Sequence, residues 1–61
     1  MTRKDYILFA NTLRTLRESL TDAAHKRGVD YAAKAIADHC ALDNVRFDRE
    51  RFLTACGVDN D

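Results

Sequence analysis

Phe47-Asp48-Arg49-Glu50-Arg51-Phe52-Leu53-Thr54-Ala55-Cys56-Gly57-Val58 decides the fold, because both ends of a short helix are written into it. Asp48 is a strong N-cap, since its carboxylate can accept from the free N–H groups of the first turn. Phe47 before the cap and Phe52 within the helix have the spacing of a hydrophobic staple. Gly57 stands just past the last turn, where a left-handed conformation ends a helix, and Val58 falls where it can fold back on Leu53. A helix this short is marginal alone, so its stability must come from packing Phe52, Leu53 and Cys56 on other elements.

Those elements lie upstream. Asp43-Asn44-Val45-Arg46 reads as a connection, with Asn44 the stop of a preceding helix. That helix is expected to start with Thr21 as N-cap, with Asp22 favourably placed against the positive end of the dipole. It is expected to run to about Asp43, weakened at Gly28, which costs about 1 kcal/mol relative to alanine in a helix interior. A turn at Gly28-Val29-Asp30, giving two shorter helices, is the alternative. One helix is preferred, because Ala24, Gly28, Tyr31, Ala35 and Leu42 share a face across the glycine. Val29, Ala33, Ile36 and Cys40 form a second apolar face, with Ala32 and His39 bridging the two. An apolar arc approaching about 200° predicts cover from two directions, by the first helix and by the C-terminal one. The small residues Ala24, Gly28, Ala32 and Ala35 would let a neighbour come close, from this chain or from a second copy.

The first helix should begin almost at once, since Thr2 and Asp5 have the spacing of a capping box. Tyr6, Phe9, Ala10, Leu13, Leu16 and Leu20 then fall in one arc about 120° wide, as expected of a helix packed on a core. Arg17 lies inside the edge of that arc, its stem covering apolar surface and its head expected to reach out to water. Leu8 points away from the arc, among Asn11, Thr12, Thr15 and Ser19, with Ile7 on the flank between. The chain should break between Ser19 and Asp22.

The fold expected is therefore all-α, one domain over residues 1–61. It is a helical hairpin with a short C-terminal helix stapled across it, and residues 59–61 form a mobile tail. Tyr6, Phe9, Leu13, Leu16, Ile36, Phe47, Phe52 and Leu53 form the expected core. Sixty-one residues lie near the lower limit for independent folding. Domains of this size lean on disulfides, metals, oligomerisation or unusually good helix packing. Two cysteines allow one disulfide at most and nothing else marks a secreted scaffold, so oligomerisation, as a homodimer, is the leading supplement.

Ten basic residues balance ten acidic ones, with neither a basic tail to hold phosphates nor an acidic block. The N-terminus has no apolar run of the signal-peptide kind, and no segment approaches the ~20 apolar residues of a membrane span. A cytoplasmic protein is expected. His25, His39, Cys40 and Cys56 do not make a zinc set, because adjacent His39 and Cys40 diverge by about 100° on a helix. The cysteines read better as small buried apolar residues. No nucleophile has a base and an orienting group at usable spacing, and no phosphate loop is present, so neither catalysis nor a cofactor is expected. Arg46, Arg49 and Arg51 stand where a recognition helix would present side chains to bases. Asp48 and Glu50 alternate with them, and overall neutrality removes the term that dominates nucleic-acid affinity. Protein–protein interaction is the preferred class. Leu8, Thr12 and Thr15, with Arg46, Arg49 and Arg51, are the candidate contact residues; a small nucleic-acid-binding regulator is the alternative.

Met1-Thr2-Arg3-Lys4-Asp5-Tyr6 and Asp43-Asn44-Val45-Arg46-Phe47-Asp48-Arg49-Glu50-Arg51-Phe52-Leu53-Thr54-Ala55-Cys56-Gly57 together resemble very small proteins of tailed bacteriophages and prophages. Those combine an M-T-R-K-D-Y opening with a D-N-x-R-F-D-R-x-R-F-L-x-A-C-G ending around a variable middle. Val45 stands where that group more often has proline, a departure confined to the turn. The resemblance covers roughly the first ten and last twenty residues and supplies no catalytic residues. It implies an early or accessory phage protein acting in the bacterial cytoplasm; taken with the preferred interaction class, the expected role is to modulate a host or phage protein.

Overall fold

The computed structural model describes residues 1–58, so the expected mobile tail lies outside the described residues. Three helices follow one another, α1 (Arg3–Ser19), α2 (Ala23–Asp43) and α3 (Arg49–Ala55). Among the described residues there is no strand. The architecture is the expected all-α one: α1 and α2 form a hairpin and α3 packs on both.

Capping chemistry sets the ends. The Thr2 N–H donates to Asp5 Oδ2 at 3.0 Å, and the Asp5 N–H returns to Thr2 Oγ1 at 3.4 Å, closing the box at the start of α1. The Thr2 backbone N–H and then the Thr2 hydroxyl, both donating to Asp5 Oδ2, hold that carboxyl below its ordinary value. The N-cap of α2 is Asp22 and not Thr21: its Oδ1 accepts from the Ala24 N–H at 2.7 Å, so the helix begins one residue later than expected. α2 then runs unbroken through Gly28, which has open space around it. Asn44 stops it in an extended conformation. Its Oδ1 accepts from the Arg46 N–H at 3.0 Å and its carbonyl from the Phe47 N–H, making the turn into α3.

α3 is built as its sequence dictates. Asp48 Oδ1 accepts from the Arg51 N–H at 3.0 Å. The Phe47 and Phe52 rings lie 5.5 Å apart between centroids. At the other end the Gly57 N–H reaches the Thr54 carbonyl and the Val58 N–H reaches the Leu53 carbonyl, both at 3.0 Å. Gly57 has φ +79°, the left-handed value such an ending needs.

The core these ends enclose is small. Ala10, Ala33, Ala37, Phe52, Leu53, Cys56 and Val58 are buried, with Tyr6, Leu13 and Phe47 packed half-buried against them. Alanine on both hairpin helices leaves room for the side chains of α3 to enter between them. Three residues expected in the core are not there: Phe9 is 46% exposed, Leu16 48% and Ile36 39%. The reason is the length of α3. Seven residues cover one side of the α1–α2 seam, and these three side chains lie along the edge remote from it. Arg17, expected to reach water, instead donates from Nε to Asp30 Oδ1 at 2.7 Å, fixing the hairpin's antiparallel register. That pairing raises the Arg17 pKa further above its ordinary value.

Candidate functional site

Two surfaces remain after the core is accounted for. The first is the outer face of α2. At 100° per residue, Ala24, Gly28, Tyr31, Ala35 and Leu42, flanked by Ala32 and His39, occupy an arc of about 100° opposite the buried Ala33 and Ala37. All seven are exposed, Tyr31 at 68% and Leu42 at 84%, and none is Asp, Glu, Lys or Arg. The charges of α2 lie elsewhere. Lys26, Asp30 and Lys34 are half-buried on the side turned to the hairpin and α3, and Asp38 accepts from Arg49 Nε at 2.7 Å. The expected cover from two directions is therefore corrected: α1 and α3 both pack on α2, but neither reaches the Tyr31–Leu42 face. Helix arithmetic shows that α2 has two apolar faces; it cannot show which of them a seven-residue helix will miss.

The second surface is a groove of about 500 Å³ between the first turns of α1, the α2–α3 turn and α3. Tyr6, Phe47 and Phe52 are its aromatic wall, with Tyr6 edge-on to Phe47 at 4.7 Å between ring centroids. Arg3, Arg46 and Arg51 line it and are exposed. Among the described residues these three arginines have no ion-pair partner, whereas Arg14, Arg17 and Arg49 pair with Glu18, Asp30 and Asp38. Asp48, the one carboxylate lining the groove, is occupied as the cap of α3.

The six contact residues expected from sequence therefore separate. Arg46 and Arg51 meet in the groove; Arg49 is drawn to Asp38 on the other flank of α3. Leu8 is 62% exposed, and the Thr12 hydroxyl donates to its carbonyl at 2.9 Å; Thr15 lies exposed a turn further on. The structure does not bring Leu8, Thr12 and Thr15 together with the arginines. Arg3, absent from the expected set, belongs with Arg46 and Arg51. Its spacing to Tyr6, Ile7 and Ala10 places it on their flank of α1, and that was the available signal.

Cys56 is fully buried, and burial pushes its thiol up to about 11, the behaviour of an inert core thiol. Cys40 is half-buried, and both cysteines are free. Among the described residues no helix is long and apolar enough to cross a membrane. No family model matches the chain, and no curated protein or solved structure matches it either.

Proposed function

We propose that this chain is a small accessory protein that acts by protein–protein interaction, as a homodimer, to modulate a host or phage protein in the bacterial cytoplasm, with no catalysis of its own. The observation that carries the reading is the outer face of α2, an uncharged, exposed stripe in a chain that is 33% charged. Soluble helices normally put their charges on the side facing water; here Lys26, Asp30 and Lys34 are half-buried beside the hairpin, and the exposed Arg27, Asp38 and Asp43 lie outside the stripe.

A second copy of α2 fits that face. In an antiparallel pairing centred near Ala33, Leu42 of one copy meets Ala24 of the other, and Tyr31 meets Ala35. Large residues fall on small ones, and a two-fold axis makes the pattern self-complementary. The phage-like opening and ending supply the biological setting.

The test is sedimentation of the wild-type chain beside Tyr31→Glu and Leu42→Glu. Both positions are exposed in the single chain, so both variants should stay helical by circular dichroism and sediment as monomers. Wild-type protein that is monomeric at every concentration tried would sink the homodimer.

A further inference from the structure

The groove between α1 and α3 has a different character from the outer face of α2, and its chemistry names a ligand class. An aromatic wall lies beside three arginines that have no ion-pair partner among the described residues, in a chain whose net charge is zero. The groove thus gathers three exposed guanidinium groups against one carboxylate, Asp48, which caps α3. We propose that this groove docks an acidic peptide segment, one apolar side chain seated against the exposed Ile7 and the open edges of Tyr6 and Phe47, and flanking carboxylates paired with Arg3, Arg46 and Arg51. The proposal deepens the interaction reading and rests on it, but not on the dimer.

The parts suit that occupant. A volume of about 500 Å³ lies within the range that holds a small ligand or a few side chains. Arginine takes carboxylates through two parallel N–H donors, which adds direction to charge. Aromatic anchors seated in a pocket carry most of the energy of an interface, while a charged rim sets the choice of partner. A nucleic-acid strand suits it less well. Single strands bind by stacking bases on open aromatic faces, and here Phe52 is buried, with Tyr6 and Phe47 half-buried against each other. A strand also needs basic residues beyond one groove, and the arginines outside this one are paired or scattered.

The experiment is an ¹H–¹⁵N NMR titration of the full chain with three synthetic peptides: a phenylalanine flanked by glutamates, the same peptide with glutamine for glutamate, and the same with lysine. A short single-stranded oligonucleotide serves as the fourth ligand. The acidic peptide should saturate and move the Phe47 and Phe52 amides and the Arg3, Arg46 and Arg51 side-chain signals. The glutamine peptide should bind about tenfold more weakly and the lysine peptide not at all, because the charge-assisted bonds are lost. Arg46→Glu with Arg51→Glu should abolish binding, and Arg46→Lys with Arg51→Lys should restore part of it. Both positions are exposed, so the charge reversal should leave the helical spectrum unchanged. No saturable shift, equal binding of the three peptides, or preference for the oligonucleotide would overturn the proposal. Sedimentation reads the α2 face alone: a dimer that ignores the acidic peptide loses the groove and keeps the homodimer, and a monomer that binds it loses the homodimer and keeps the groove.

Discussion

Leu53→Ala is the most severe single truncation this fold should register. Leu53 is fully buried at the point where α3 enters the hairpin. Its core neighbours include Ala10, Ala33 and Ala37, whose methyl groups cannot swing into a gap. A leucine-to-alanine change in such a site costs about 3–4 kcal/mol, the transfer term plus a cavity that does not collapse. Small domains of this length have a total stability of roughly 3–9 kcal/mol, so the change removes a large share of it. The melting temperature should fall by more than about 12 °C, at about 4–8 °C per kcal/mol. The assay is urea unfolding followed by circular dichroism, wild type and variant at one protomer concentration because self-association shifts the midpoint. Leu42→Ala is the control. At 84% exposure in the single chain it should cost under about 0.5 kcal/mol in a dilute monomer. A loss below about 1 kcal/mol for Leu53→Ala would refute the idea that α3 is held by that side chain.

Other expectations follow from the ends and from charge. Gly57→Ala should cost about 1 kcal/mol through its φ of +79° alone, since an added Cβ meets only Arg14 Cγ at 3.5 Å; Gly57→Asn should recover part of the loss in the same melt. Arg17→Ala should destabilise more than Arg49→Ala, because the Arg17–Asp30 pair is the more buried of the two. A double-mutant cycle with Asp30→Asn should return a favourable coupling, and a zero coupling would contradict the role given to the pair. Burial lifts the Cys56 thiol from its ordinary 9.0 to about 11. Unfolded chains then ionise at lower pH than folded ones, so stability present below pH 9 is lost as pH rises towards 11. Cys56→Ala should flatten that part of the stability–pH curve, and an unchanged slope would remove Cys56 as its cause.

What could be read from the sequence was local. Thr2 with Asp5, Asp48 with its staple, and Gly57 with Val58 are all cap patterns spanning six residues or fewer, and each forms as its spacing implies. One helix through Gly28 was preferred over two shorter ones but not decided, because the face that argued for continuity, from Ala24 to Leu42, is the exposed one. The misses are mostly matters of tertiary choice. Phe9, Leu16 and Ile36 sit on apolar arcs as regular as those of the buried residues, and only the side taken by α3 leaves them open. Asp22 displaced Thr21 as cap, since either residue type serves and the backbone decides. Arg46 and Arg51 could be singled out as a basic pair, yet the groove that gives them meaning needs Arg3 and Tyr6 from the far end of the chain.

The dimer is the central claim, and sedimentation equilibrium over a wide range of protomer concentration tests it most directly. Association of the wild type towards twice 6.9 kDa, abolished by Tyr31→Glu with the helical spectrum intact, is the result expected. A wild type that stays at 6.9 kDa throughout, or a Tyr31→Glu variant that associates as well as the wild type, would contradict it.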